Sequence, residues 1–171
     1  DSAEVSEQFS DQYWTGNASL EWRISTQQSF YATLARGVRA GGVNASLSST
    51  LLALSSEFDV TPYASRTRFN EEIVLNRELG WRLRTTDSRL RASLAVFTME
   101  RDDQQVKASL VIPRADGSTS FTDFTDNAAT GTNRGLEFTV DWLPSERLTM
   151  NLAIGRLHTK FDEYINVDGT R

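Results

Sequence analysis

The chain has 171 residues, 39% hydrophobic and 24% charged, which is enough for a folded domain with its own core. A net charge of −5 and a pI of about 4.9 argue against a nucleic-acid-binding protein, because such a protein needs a basic surface. With no cysteine and a single histidine, the sequence offers neither a disulfide framework nor a metal site of thiolates or imidazoles, and we expect no metal and no cofactor.

Apolar runs in the chain are short, about four residues at most, as in residues 51–54. A membrane-spanning helix needs roughly 18, so the sequence excludes a helical membrane protein. A transmembrane β-barrel escapes this test, because each of its strands is apolar on one face alone.

Alternation of apolar and polar residues predicts long strands. Leu136, Phe138 and Trp142 share one parity before a turn at 144–147, and Leu148, Met150 and Ile154 share one parity after it. The same pattern predicts six strands, at about 17–25, 29–40, 72–84, 89–110, 133–143 and 147–161. The predicted fold class is all-β, an antiparallel meander of three hairpins.

Two long connections, about 41–70 and 113–132, join the predicted hairpins. In the second, Asp116-Gly117 is a tight-turn signal that predicts a small local hairpin between residues 111–112 and 120–121. The apolar residues of the first lie at helical spacing: Leu47, Leu51, Leu54 and Phe58. They predict a short helix near 46–57, with Asn44 or Ser46 as the N-cap. Arg36 falls on the apolar parity of its strand, which predicts a bulge or a change of environment there.

A tryptophan precedes each short turn: Trp22, Trp81 and Trp142. One interpretation is a soluble β-sandwich in which these rings fill the core, and the other is an aromatic girdle at a membrane interface. Short turns on one side, long connections on the other and strands of about ten residues favour the membrane barrel.

Several segments, in order along the chain, resemble the C-terminal barrel region of TonB-dependent outer-membrane receptors. They are Arg36-Gly37-Val38-Arg39-Ala40-Gly41-Gly42-Val43-Asn44 at the end of one strand, Glu78-Leu79-Gly80, residues 97–106, residues 131–137 with Trp142-Leu143-Pro144, and residues 148–155. The resemblance covers roughly residues 13–166.

The resemblance implies a 22-stranded barrel in the bacterial outer membrane that is closed by a plug domain. Such a receptor imports a scarce nutrient such as a ferric siderophore, with energy supplied through the TonB protein. Six strands cannot close so wide a barrel, and the chain shows no plug or TonB box. We therefore expect a piece of the barrel that supplies wall and outer loops, in contact with outer-membrane lipid.

Charged residues on the polar parity are expected to face the lumen and the plug: Glu21, Arg23, Glu78, Arg82, Glu137 and Asp141. The long connections carry the candidates for an anionic ligand: Arg39, Asn44, Arg66 and Arg68. His158 has no Ser or Asp partner at motif spacing, and neighbouring carboxylates such as Asp102 and Asp103 point to opposite faces of a strand. We therefore expect no enzyme activity.

Two further expectations follow from the strand pattern. A soluble β-sandwich that binds a ligand remains the alternative to the barrel. The first and last strands would leave unpaired edges in an isolated chain, so it could self-associate through them.

Overall fold

A computed structural model describes residues 10–55, 59–113 and 117–164. The long strands are β1 (Gly16–Arg23), β2 (Gln28–Arg39), β5 (Glu72–Arg84), β6 (Leu90–Pro113), β7 (Thr119–Ser145) and β8 (Leu148–Tyr164). Between β2 and β5 lie β3 (Gly42–Val43), helix α1 (Ala45–Leu54), a 3-10 helix (Thr61–Thr67) and β4 (Arg68–Phe69). Among the described residues, no helix is long and apolar enough to cross a bilayer.

The six long strands form one antiparallel sheet in the order β1-β2-β5-β6-β7-β8, and β3 and β4 pair separately. Each long strand therefore pairs with the next long strand along the chain, which confirms the predicted meander. The β-sandwich is not the fold, because the long strands lie side by side in a single sheet instead of in two packed sheets.

The strand register sorts apolar and polar side chains onto opposite faces. Leu20 lies opposite Ala32, which lies opposite Leu79, and the row continues through Val96 to Leu136. We call the side with this row the apolar face and the other side the polar face. Leu79 is 61% exposed, so the chain itself does not cover its apolar face.

The hairpin turns are staggered along the sheet. The row of paired residues that starts at Arg23, at the end of β1, reaches β6 at Ser93. Ser93 is a few residues past Leu90, where β6 begins after the turn of the second hairpin, so this turn extends beyond the turn of the first. Leu90 in turn pairs with Trp142, a few residues before Ser145, where the third hairpin closes. Steps in one direction are typical of tilted strands in a barrel wall.

The buried core lies at the end of the sheet opposite the short turns. There β6 and β7 continue past the ends of β2 and β5 as a two-stranded hairpin, and α1 packs against it. Leu47, Leu51, Leu110 and Phe124 form the core cluster, each no more than 6% exposed. We call this hairpin beyond Gln104, together with the described residues of 41–70, the loop cap.

One expectation about the connections differs from the structure. Most of 113–132, predicted as a connection with a small local hairpin, belongs to the long strand β7, which begins at Thr119 and pairs with β6 from there. Phe121 and Phe124 of this segment point to opposite faces and no apolar stripe runs along it, so pairing with β6 and burial of Phe124 in the core specify the strand. The predicted short helix is present as α1, which follows Asn44 and ends at Leu54, and Phe58 lies outside the described residues.

Strand β2 is regular at Arg36, so the predicted bulge is not there. The alternative, a change of environment, is what the structure shows: the Arg36 guanidinium lies 4.3 Å from the centroid of the Trp14 ring. The irregular register falls instead near residues 101–105 of β6, where Asp103 has a φ of 52°. This bulge marks the point at which the wall ends and the loop cap begins.

Candidate functional site: a wall with two faces and a loop cap

The predicted lumen residues all lie on the polar face. They are Glu21, Arg23, Glu78, Arg82, Glu137 and Asp141, and the register connects them through rows of paired residues. Glu21, for example, lies in the row that passes through Tyr31, Gly80 and Ala95 to Glu137. The structure thus gathers both signs of charge on one surface.

Tyr31 organises the centre of the polar face. Its ring packs against Gly80 so closely that a β-carbon there would collide with the ring, which favours glycine at that position. The Tyr31 hydroxyl donates to Glu78 Oε1 at 2.8 Å, and the Arg82 guanidinium lies 4.2 Å from the ring centroid. These contacts fix a carboxylate and a guanidinium side by side on the polar face.

The other charges of the polar face are more open. Arg23 Nε lies 3.3 Å from Glu21 Oε1, and both side chains are largely exposed. Asp141 accepts a hydrogen bond from Asn151 Nδ2 at 2.6 Å. The Glu137 side chain is exposed and makes no hydrogen bond or salt bridge to any described residue. Such groups are available to a partner that covers this face.

The three tryptophans lie on the apolar face, at the end with the short turns. Trp22 and Trp81 share one row with Phe30 between them, and Trp142 lies opposite Leu90. Trp22 is 66% exposed. Trp81 donates its indole N–H to Gln28 Oε1 at 3.2 Å. An apolar ring body with a polar N–H suits the boundary between hydrocarbon and water.

Glu72 is the buried charge at the boundary between wall and loop cap. It is 5% exposed, and its carboxylate accepts a hydrogen bond from the Gln105 amide at 3.1 Å. Arg39 and Arg101 lie 3.9 and 3.6 Å from its two oxygens. These contacts tie β2, β5 and β6 together where the bulge redirects β6.

Within the loop cap, Asn44 joins the connection between β2 and β5 to β7. Its side-chain amide donates to the carbonyls of Arg66 and Thr125, both at 2.7 Å, and its Oδ1 accepts from the Thr125 amide at 2.9 Å. The side chain thus satisfies the backbone of a second strand instead of capping α1, which receives no side-chain cap from it. Asn44 is 8% exposed. The sequence singled out Asn44 as a candidate residue, but no sequence pattern predicted its contact with β7.

The remaining predicted ligand residues divide into buried and exposed groups. Arg66 forms an ion pair with Asp126 at 3.1 Å and lies 6.0 Å from the centroid of the buried Phe124 ring. Arg39, the last residue of β2, is exposed apart from its contact with Glu72, and Arg68 is exposed in β4. Asn44 and Arg66 therefore hold the loop cap, while the side chains of Arg39 and Arg68 lie at its exposed surface.

Two carboxylates in the connecting segments have lowered pKa values. The side chain and amide of Thr61 hold the pKa of Asp59 below its usual value of 3.8. The Thr85 hydroxyl, at 2.6 Å, and the Arg89 amide, at 3.1 Å, do the same for the pKa of Asp87 in the turn between β5 and β6. Both groups remain ionised and brace a local turn.

Acidic residues and His158 form no metal site in the part of the chain that the structure describes: no group of three or more potential ligands is placed to hold an ion. His158 lies on the apolar-face side of β8, opposite Arg134.

The whole chain, residues 1–171, matches the protein-family model described as TonB dependent receptor-like, beta-barrel. It is similar to the ferric yersiniabactin uptake receptor FyuA from Yersinia pestis, with a TM-score of 0.60 and 19% identity, covering 88% of this chain and 19% of that one. It is also similar to the ferric-catecholate import receptor Fiu from K12 E. coli, with a TM-score of 0.55, 14% identity and coverage of 91% and 20%.

The alcaligin outer membrane receptor FauA from Bordetella pertussis is a third similar structure, with a TM-score of 0.54, 15% identity and coverage of 89% and 23%. At these identities the likeness shows the fold alone. The chain spans about a fifth of the length of these structures.

Proposed function

Because the chain belongs to the TonB-dependent receptor β-barrel family, we propose that it forms six consecutive wall strands of a 22-stranded barrel in the bacterial outer membrane. The observation that carries this proposal is the broad apolar face, which the chain leaves uncovered. Leu20, Leu79 and Leu152 are each at least 50% exposed on that face. A bilayer covers such a surface without a second sheet.

The complete receptor, in this proposal, takes up a scarce nutrient such as a ferric siderophore and is neither an enzyme nor a nucleic-acid-binding protein. Two of the similar structures are named for iron-bearing ligands, ferric yersiniabactin and ferric catecholates. This chain contributes barrel wall and outer loops, and TonB supplies energy through the complete receptor.

Each surface then has a partner. The plug domain covers the polar face and meets its predicted lumen residues, with Glu137 and Arg23 open to it. Trp22, Trp81 and Trp142 form the membrane-interface girdle at the short-turn end. Arg39 and Arg68 are the exposed candidates for contact with an anionic ligand, while Asn44 and Arg66 act by shaping the cap.

This chain contains no cysteine, so an introduced cysteine is the single labelling site within these wall strands. Leu79→Cys and Glu78→Cys place labels on adjacent residues that point to opposite faces. In the full-length protein in lipid vesicles, we expect the label at 79 to collide more often with dissolved oxygen than the label at 78 does. We expect the label at 78 to collide more often with a water-soluble nickel chelate than the label at 79 does. Equal accessibility at the two positions would contradict the barrel wall.

Uptake needs its own experiment. Cells that carry the receptor should accumulate radiolabelled ferric siderophore, and deletion of the TonB gene should abolish that accumulation. Candidate siderophores of the catecholate, hydroxamate and phenolate classes should be compared. TonB-independent entry would contradict the proposed transport even if the wall geometry holds.

A further inference from the structure

Toward the loop cap, the polar face carries three charged side chains on three neighbouring strands. Arg39 is the last residue of β2 and lies directly opposite Glu72, the first residue of β5. Arg101 of β6 lies opposite Val74, in the next row of the same face. All three have the parity of Glu78, so their side chains lie on the side of the wall that a closed barrel encloses.

The exposure of these three side chains differs sharply. The Glu72 side chain is 7% exposed, whereas that of Arg39 is 65% exposed. Glu72 Oε2 lies 3.9 Å from Arg39 Nη1, and Glu72 Oε1 lies 3.6 Å from Arg101 Nη1. Each oxygen of one buried carboxylate thus faces a different guanidinium group, and one of these two groups reaches the open surface.

The backbone at Arg39 is held by the same network. Gln105 Nε2 donates to the carbonyl oxygens of Ala40 at 2.8 Å, Asn70 at 2.9 Å and Arg39 at 3.4 Å. The Gln105 amide N–H donates to Glu72 Oε2 at 3.1 Å. Gln105 therefore fixes the main chain where β2 ends, and Glu72 lies against the side chain that leaves it.

Stability alone does not account for a buried carboxylate at this place. A buried ion pair stabilises a fold no more than well-packed apolar side chains of similar volume do. Its distinct effect is on geometry. Without Glu72, the guanidinium groups of Arg39 and Arg101 repel each other, and the long side chain of Arg39 takes many rotamers.

We propose that Glu72 is a positioning residue that holds the Arg39 guanidinium for an anionic oxygen of the incoming ligand, an inference that rests on the uptake function proposed above. Because Arg101 faces the other carboxylate oxygen, Arg39 meets Glu72 through one oxygen and not as a bidentate pair. A guanidinium has five N–H donors, so Arg39 keeps donors for the ligand. Holding the side chain in advance reduces the rotamer freedom that binding would cost.

The test measures the affinity of the full-length receptor in detergent micelles for radiolabelled ferric complexes. A catecholate, a hydroxamate and a phenolate siderophore are the probes, and the complex that the unaltered receptor binds most tightly is used for the variants. We expect Arg39→Gln to weaken binding about tenfold, since it removes a charge-assisted hydrogen bond. Glu72→Gln should weaken binding about threefold, because Arg39 is then no longer held in place.

The double variant Arg39→Gln/Glu72→Gln separates positioning from a structural role. If Glu72 acts through Arg39, the double variant binds no more weakly than Arg39→Gln alone. The matched control is Glu100→Gln, which removes the carboxylate that pairs with Arg77 at 2.7 Å on the apolar face. The control should bind like the unaltered receptor.

Glu72→Asp provides a second comparison, because it keeps the charge and shortens the side chain. A role in packing alone predicts weaker binding for Asp than for Gln, since Gln has the size of Glu. Positioning by charge predicts the opposite order. Amide exchange at Gln105, whose N–H is bonded to residue 72, checks that each variant keeps its local fold.

Losses of affinity that multiply in the double variant would overturn the inference, because Glu72 would then act independently of Arg39. Unchanged affinity in either single variant would overturn it as well. In both cases, uptake that depends on TonB leaves the proposed function intact. A receptor that binds none of the three ferric complexes overturns the proposed uptake of a ferric siderophore and this inference together.

Discussion

The loop cap and the barrel wall bury their apolar residues in different ways. In the cap, Leu47 and Phe124 are 0% and 3% exposed, because α1 and the β6–β7 hairpin cover each other. In the wall, Leu79 and Leu152 are 61% and 50% exposed, although they sit in the most regular part of the sheet. The cap therefore buries its apolar residues against protein, whereas the wall, in the proposed membrane location, buries its apolar face against lipid.

This difference has a consequence for stability. A cavity in the cap has only protein around it, so a truncated side chain loses its packing contacts outright. A truncated side chain on the apolar face leaves a gap that an acyl chain can fill. The stability of the cap should accordingly depend on the size of a substituted core side chain, and the stability of the wall on the polarity of a side chain on its apolar face.

Phe124→Ala should have the largest effect. Replacing a buried aromatic residue with alanine costs roughly 3–5 kcal/mol, and here it also removes the ring beside Arg66. We expect hydrogen-exchange protection to fall in the loop cap and to persist in β5 and the wall part of β6. Phe121→Ala is the matched control, since Phe121 is on the same strand and 67% exposed. Equal loss of protection in both variants would show that the cap has no core of its own.

Leu152→Arg tests the wall. An arginine on the lipid face near the middle of a bilayer costs roughly 2–4 kcal/mol, so the free energy of unfolding measured by denaturant titration in vesicles should fall by that amount. Ala153→Arg is the control on the adjacent residue, which points to the polar face. A similar loss in the control would mean that the two faces are not in different solvents.

The sequence predicted the wall more fully than the cap. Apolar alternation in segments such as 136–142 is local, so it reveals both the strand and its exposed face. The cap depends on contacts between distant residues, such as Leu47 with Phe124, and no local pattern reports them. The stretch from Thr119 to Thr132 lacks an apolar stripe, so the turn signal at 116–117 predicted a small hairpin there but not a strand that pairs with β6 over its whole length. Whether Arg39 and Arg68 meet a ligand stays a prediction.

Asn44→Ala should weaken the cap without emptying its core. The substitution leaves the Thr125 amide and two carbonyls without their partner, and such a loss costs roughly 1–3 kcal/mol when the groups are buried. We expect faster amide exchange at Thr125 and a lower melting temperature of the cap. Asn151→Ala removes an exposed amide bonded to Asp141 on the polar face and should change stability far less. Comparable shifts would contradict the joining role of Asn44.

The smallest effect concerns pH and the turn at Asp87, in the wall away from the cap. Folding lowers the pKa of Asp87, because the Thr85 hydroxyl and the Arg89 amide stabilise its ionised form. A group with a lowered folded pKa stabilises the protein above its unfolded pKa, and this contribution is lost as the pH falls through the folded value. Between about pH 6 and about pH 3, the stability difference between the unaltered protein and Asp87→Asn should therefore shrink as the solution becomes more acidic. Because Asp87 is fully exposed, the change should be slight, and a difference that grows toward low pH would contradict the hydrogen bonds that define this turn.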